Sequence, residues 1–323
     1  MKYISLDHSI SELQALLQQK GWLSPTETVL AIEKPGEGNM NVVLRVKTSE
    51  RSFILKQSRP YVQKYQQIEA PLNRIDVEYQ FYQAIQGAEL SKYIPAIQAY
   101  DQSEHLLLME DLGHCEDLSR LYQSRKVEAE TITQLTQILS SIHQSKVAET
   151  YPQNLTLRQL NHQHIFVLPF LEDNGFQLDE VQAGLQEISM IYKKDMAIKS
   201  VVDTIGKQYL STGSTLLHGD YYPGSWMTAE EKLYVIDPEF SFLGFAEFDL
   251  GVMAAHLVMA TSDPKLVDTI FEKYTNLADK KLMTQMAGIE IIRRLIGLAQ
   301  LPLSRSLEEK ASLLKIARTM ILS

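Results

Sequence analysis

The chain holds a single cysteine, Cys115, in 323 residues. That excludes an intramolecular disulfide and any metal site built from clustered thiolates, fits a reducing compartment, and leaves Cys115 as a packing residue. Positive charge is also scarce: 31 Lys and Arg stand against 40 Asp and Glu, giving a formal net charge of -9 and a pI near 5.5. A general nucleic-acid binder would show a basic face or stripe, so nucleic acid is not an expected partner. No run of about 20 apolar residues is present to span a bilayer. Near the start, Asp7, His8, Glu12 and Lys20 interrupt the apolar positions, unlike the unbroken apolar stretch of a signal peptide. No membrane partner and a cytoplasmic location are therefore expected. Repeats, low-complexity stretches and long linkers are absent as well.

What is present is average for a soluble globular protein, with 45% hydrophobic and 22% charged residues. The length exceeds one typical core and suits two domains of roughly 100 to 200 residues. A helix is expected around Ser9 to Gln19, followed by strands between Val29 and Lys56, with Val42–Val46 and Phe53–Lys56 forming a hairpin that turns at Thr48 to Arg51. Ile75 to Gln86 has a helical pattern, and Leu106 to Met109 reads as a strand that ends in the acidic turn Glu110-Asp-Leu-Gly. Beyond Gly113 long helical patterns dominate: Glu128 to Lys146, Leu178 to Leu210, and three more after Asp249. Between them lie two short apolar strands, Thr215–Leu217 and Leu233–Ile236, at a spacing that suits a hairpin. The fold class expected is α+β in two lobes: residues 1–110, a small sheet lobe with a helix, and residues 111–323, mainly helical and joined to the first by a short hinge near Glu110 to His114.

Transfer of a phosphoryl group asks little covalent chemistry of a protein. It needs the nucleotide phosphates neutralised, Mg²⁺ held, and the attacking hydroxyl aimed and relieved of its proton. The sequence offers candidates for each part, in order. The loop Gly36-Glu-Gly38-Asn39-Met-Asn41 can bring backbone N–H groups close to phosphates, although a plain turn has the same composition. Lys56 ends a strand, and Glu78 on the next helix can fix it against the α- and β-phosphates of ATP; alone, such a lysine is an ordinary edge residue. Backbone groups at Glu110 and Leu112 are placed to meet adenine. His218-Gly219-Asp220 and Ile236-Asp237-Pro-Glu239 end successive apolar runs. Asp220 is the candidate base for the acceptor hydroxyl. Asp237, with Glu239 and Ser225 as further oxygen ligands, is the candidate Mg²⁺ holder. Arg293 and Arg294 interrupt an apolar helix, and buried guanidinium groups need acceptors. They either form structural salt bridges, for example to Glu290 or Asp249, or stabilise charge on the phosphoryl group in transit. Asp249 suits a helix N-cap, and His143 is expected to pack rather than react.

Gly38-Asn-Met-Asn-Val-Val-Leu-Arg-Val, Lys56-Gln, Met109-Glu-Asp-Leu, His218-Gly-Asp and Ile236-Asp-Pro-Glu-Phe together resemble the aminoglycoside phosphotransferase and choline kinase superfamily, from about residue 36 to 300. The resemblance implies a protein-kinase-like fold, ATP and Mg²⁺ as cofactors, and transfer of the γ-phosphate to a small-molecule hydroxyl. Ser225 in place of the superfamily's usual metal-binding asparagine, the Asp237-Pro-Glu-Phe run and the Arg293-Arg294 helix resemble, more narrowly, the methylthioribose kinases. In those, the paired arginine helps to hold the sugar and the transferred phosphate. The resemblance also implies that Asp249 braces the catalytic loop from behind. Tyr221, Tyr222 and Pro223 depart from the Leu-His-Thr usual there, and residues 155–210 align with nothing. The expected acceptor is 5-methylthioribose or a similar sugar. The alternatives are an aminoglycoside, choline or homoserine kinase, or a catalytically silent nucleotide-binding scaffold, in either case a monomer or homodimer.

Overall fold

A computed structural model describes residues 3–36, 40–87, 89–301 and 303–323. Gly38 and Asn39 of the glycine loop lie outside the described residues. The chain divides into two compact units, Met1–Cys115 with Thr228–Glu239, and Glu116–Met227 with Phe240–Ser323. This differs from a division after residue 110. The segment Thr228–Glu239 returns to the first unit, where its strand packs against the short turn at Ser91–Tyr93. A linear reading has no signal for such a return.

In the first unit, helix α1 (Ile10–Gln19) begins with a capping box: Ser9 Oγ accepts from the Glu12 N–H while the Glu12 carboxylate accepts from the Ser9 N–H at 3.0 Å. Its Leu13, Leu16 and Leu17 are buried, each contributing about 1.5–3 kcal/mol. They cover one face of an antiparallel sheet made of β1 (Val29–Glu33), β2 (Val42–Thr48), β3 (Ser52–Gln57), β6 (Ile97–Asp101) and β7 (Leu106–Glu110), in the order β1-β2-β3-β7-β6. A hairpin, β4 (Tyr61–Val62) and β5 (Tyr65–Glu69), stands apart from it, and α2 (Arg74–Ala84) follows. Alternation along β3 decides the chemistry. Phe53 and Leu55 join the α1 core, so Lys56, one position on, emerges from the opposite face.

The second unit opens with β8 (Glu116–Asp117), α3 (Leu121–Ser124) and α4 (Ala129–Gln144). The uncharacterised stretch contains α5 (Leu155–His162), which runs into a π-helical turn at Gln163–Val167. The single helix expected over Leu178–Leu210 is three: α6 (Leu178–Val181), α7 (Leu185–Lys193) and α8 (Met196–Leu210). Gly184 at φ +85 breaks the first junction, and Asp195 caps α8 by accepting from the Ala197 and Ile198 N–H groups. Among the described residues from Glu247 on there are four helices rather than three: α9 (Glu247–Thr261), α10 (Leu266–Lys273), α11 (Lys280–Ile296) and α12 (Leu307–Ile321). α9 and α11 are buried along most of their length and pack on each other. Among the described residues no helix is long and apolar enough to cross a membrane.

The expected hairpin between the two apolar strands does not form. β9 (Thr215–Leu217) pairs antiparallel with β12 (Phe242–Gly244), Leu217 opposite Phe242. β11 (Lys232–Val235) instead neighbours β10 (Trp226–Ala229). Strands of three or four residues carry too little periodicity to reveal a partner.

Candidate phosphoryl-transfer residues

In the first unit the sheet and α2 enclose a charged cluster. Lys56 Nζ lies 2.6 Å from a Glu78 carboxylate oxygen and also pairs with Asp237. Arg74, fully buried at the start of α2, reaches Glu239 at 3.1 Å and donates to the Arg59, Pro71 and Met40 carbonyls. Asp237 sits at φ +68, a left-handed backbone rarely taken by a non-glycine residue, and its N–H donates to the Tyr82 hydroxyl at 3.3 Å. This bent backbone turns the two carboxylates of Asp237-Pro-Glu239 to different tasks. The Asp237 side chain stays 45% exposed while Glu239 is buried at 1%.

The electrostatics of the cluster are unbalanced. Three carboxylates, Glu78, Asp237 and Glu239, face two cations, Lys56 and Arg74. Burial works against the Lys56 charge, but Asp237, Glu78 and Glu239 outweigh it and keep the ammonium protonated. Burial pushes Glu78 up to about 7, and burial with the Asp237 charge pushes Glu239 up to about 8. Surplus negative charge on hard oxygens is what a divalent cation relieves. Among the described residues no three His, Cys, Asp or Glu side chains converge as a complete cage. An ion such as Mg²⁺ would therefore take its remaining ligands from phosphate and water.

The remaining residues expected to meet the nucleotide lie in the same unit. The Asn41 side chain is buried and its amide is spent within the unit: Nδ2 donates to Glu239 at 2.9 Å, and Oδ1 accepts from Arg74 Nε at 3.0 Å and Ser58 Oγ at 3.2 Å. It anchors Glu239 rather than pointing outward. Glu110 closes β7, with its carboxylate accepting from the Ala96 N–H at 2.9 Å, and Leu112 follows half-buried. Between them Asp111 accepts from Arg45 at 2.9 Å, Ser52 and the Gly113 N–H. Burial raises its pKa, but these donors bring it below the ordinary carboxylate value.

In the second unit, His218-Gly219-Asp220 follows β9. Gly219 has φ +85, and a Cβ there would lie 2.2 Å from the Phe240 carbonyl oxygen, so only glycine fits. Asp249 accepts from the His218 N–H at 2.7 Å and the Gly219 N–H at 3.0 Å. It lies within the first turn of α9 rather than at its cap, and it braces the loop. His143 Nε2 meets Asp249 at 3.2 Å and its Nδ1 meets the Tyr274 hydroxyl at 2.8 Å, so His143 supports the brace. Ser225 Oγ donates to the Asp220 carbonyl at 2.9 Å, closing the loop on itself. Tyr221 and Trp226 are fully buried, and the Tyr221 hydroxyl donates to the Leu135 carbonyl. Ser225 and Asp220 thus belong to one unit, and Asp237 and Glu239 to the other.

The arginine pair ends α11. Arg293 Nη1 donates to both Glu290 oxygens at 3.0 Å, and Arg294 Nε donates to Glu290 at 2.6 Å. Arg294 Nη2 stands 3.6 Å from the Asp220 carboxylate. Burial alone would lower the Arg294 pKa, but Glu290 and Asp220 raise it further; burial alone would raise Glu290, but the two arginines hold it well below the ordinary value. The salt bridges to Glu290 anticipated from sequence are present, whereas Asp249 serves the loop. Sequence reasoning missed Arg74. For Arg74 the signal was there, an arginine opening a helix whose next residues are apolar.

Residues 31–288 match the phosphotransferase enzyme family. The chain is 27% identical to a methylthioribose kinase of Exiguobacterium sibiricum, across 83% of this chain and 79% of that one. It is 25% identical to one from a Geobacillus species, across 92% and 85%. The crystal structure of LicA in complex with AMP shares the fold at 15% identity and a TM-score of 0.57, covering 97% of this chain and 99% of LicA. With four-fifths of its length inside the match, and with a kinase-like fold of a small sheet unit and a larger helical one, the chain belongs to the phosphotransferase enzyme family.

Proposed function

We propose that the protein transfers the γ-phosphate of ATP to a hydroxyl of a small neutral sugar, with 5-methylthioribose as the leading acceptor. Asp220 accepts the hydroxyl proton as it attacks. Arg294, with Arg293 behind it, stabilises charge on the phosphoryl group in transit. Lys56, fixed by Glu78, pairs with the nucleotide phosphates, to which Gly38 and Asn39 are also assigned, and backbone at Glu110 and Leu112 meets adenine. Asn41 acts through Glu239. Asp237, Glu239 and Ser225 are the oxygen donors assigned to Mg²⁺, which when bound neutralises phosphate charge. The assignment places the enzyme in the cytoplasm as a monomer or homodimer.

The observation that carries the sugar reading is the guanidinium of Arg294 beside Asp220. A quaternary ammonium or polyamine acceptor calls for acidic surroundings, whereas here the nearby carboxylate, Glu290, is consumed by two arginines. The stretch 155–210 adds neutral groups to this neighbourhood. Asn161 Nδ2 donates to the Tyr209 hydroxyl at 3.2 Å, and the pKa of His164, on the π-helical turn, is lowered first by burial and then by the Arg293 charge. The relatives named methylthioribose kinases support the same acceptor. An ADP-release panel tests the reading: turnover is expected with 5-methylthioribose. Silence there, with clear turnover of choline or kanamycin, would overturn it.

A further inference from the structure

Arg74 opens α2 and is fully buried, and every hydrogen of its guanidinium has an acceptor. Nε donates to Asn41 Oδ1 at 3.0 Å, Nη1 to the Arg59 and Pro71 carbonyls at 2.7 and 2.8 Å, and Nη2 to the Met40 and Tyr61 carbonyls at 2.6 and 3.4 Å. The end of the glycine loop, the hairpin at β4 and the entry to α2 thus meet on one side chain. Glu239 joins them. Its Oε2 lies 3.1 Å from Arg74 Nε and accepts from Asn41 Nδ2 at 2.9 Å, closing a triangle of guanidinium, amide and carboxylate. The amide has one workable orientation, since flipping it would set its NH2 against the guanidinium and its oxygen against the carboxylate. All of these residues belong to the first unit.

A crosslink between backbone carbonyls would account for an arginine at this place, but not for the carboxylate. Taking another charge out of water is costly, and Glu239 enters a cluster in which Glu78 and Asp237 already face Lys56. The spacing along α2 gives the carboxylate a purpose. Arg74 and Glu78 are four residues apart, on one face of the helix. Glu78 fixes Lys56, the residue assigned to the phosphates. One turn earlier, Arg74 fixes Glu239, assigned to Mg²⁺, together with the Met40–Asn41 end of the loop.

We propose that Arg74 is a positioning residue that locks the end of the phosphate loop and the Glu239 carboxylate into one geometry, with Asn41 as the link between them. This rests on the roles proposed for the glycine loop and Glu239. Lysine cannot replace it: an ammonium has the charge, but its three donors on a single atom do not span the Met40 carbonyl, Asn41 and the Arg59 carbonyl together.

The test is the affinity for ADP, measured by calorimetry with Mg²⁺ and again with EDTA, for Arg74→Lys, Asn41→Ala and Glu239→Gln and for the first two combined with the third. Neither measurement needs an acceptor. Arg74→Lys is expected to weaken binding of MgADP about tenfold or more, and binding of ADP in EDTA distinctly less. On the Glu239→Gln background it should weaken MgADP no more than it weakens ADP in EDTA, because the metal-dependent part acts through Glu239. Asn41→Ala, which leaves the guanidinium and its backbone acceptors in place, carries the same expectation and decides the matter should Arg74→Lys fail to fold. Wild-type affinity for MgADP in Asn41→Ala or in a folded Arg74→Lys, or a further metal-dependent loss of about tenfold on the Glu239→Gln background, overturns the positioning role. Wild-type affinity for MgADP in Glu239→Gln would instead refute the role given to Glu239, and the lock with it.

Discussion

Glu290→Gln isolates the charge that holds the arginine pair together. In the folded unit Glu290 and Asp220 carry two negative charges against two positive ones on Arg293 and Arg294. Neutralising Glu290 leaves one uncompensated positive charge in a region where Glu290 is completely buried. Breaking a buried pair from one side costs about 3–5 kcal/mol. Glutamine keeps the shape and one acceptor oxygen, so the lower end, about 3 kcal/mol, is expected. That is a large share of a typical net stability of about 5–15 kcal/mol. The chain supplies its own reporter, because Trp226 is fully buried in the same unit and Trp22 is the one other tryptophan. Urea unfolding followed by fluorescence in a Trp22→Phe background then reads the second unit alone. A loss below about 1 kcal/mol would refute the view that Glu290 is the counter-ion on which the pair depends.

Gly219→Ala forces a side chain into a φ of +85 with its Cβ 2.2 Å from the Phe240 carbonyl oxygen. The left-handed conformation alone costs about 1–2 kcal/mol, and the backbone contact must be relieved by moving the loop. A lower melting temperature and at least a tenfold drop in kcat are therefore expected, and a wild-type kcat would contradict the geometry. His256 ties stability to pH, because burial lowers its pKa from 6.5 to about 4. The unfolded chain binds the proton first, so the contribution is complete above pH 6.5 and is lost as pH falls towards 4. At about 1.4 kcal/mol per unit the total is about 3 kcal/mol. His256→Gln should flatten the fall in urea stability between pH 7 and 5, and an unchanged slope would show that other groups set it.

Much of this arrangement was legible in the sequence where periodicity or capping was strong. α1 and α4, the β2–β3 hairpin and the Lys56–Glu78 pairing follow from apolar spacing, a Ser-x-x-Glu box and a strand followed by a helix. The β4–β5 hairpin was hidden because β5 is almost wholly exposed and lacks an apolar face. The helices from Leu178 to Leu210 merge on paper because the apolar pattern continues through Gly184, whose left-handed backbone breaks them in space. Asp220 and Asp237 were both identifiable from their motifs. That their strands do not pair was not, since the partner of β9 comes from Phe242–Gly244, beyond the second motif. Likewise, Tyr122 and His256 look like ordinary core residues until α3, α9 and α11 bring Tyr122 onto His256 and His256 onto Glu290.

The central claim is that Asp220 is the base of a phosphoryl transfer. Its most direct measurement is the steady-state rate of Asp220→Asn with MgATP and the best acceptor from the panel. A general base contributes roughly 10²–10⁴-fold, so kcat should fall at least about a hundredfold while KM for ATP, whose phosphates are assigned to other residues, should stay within about threefold. An Asp220→Asn enzyme that turns over as fast as the wild type would contradict the account at its root.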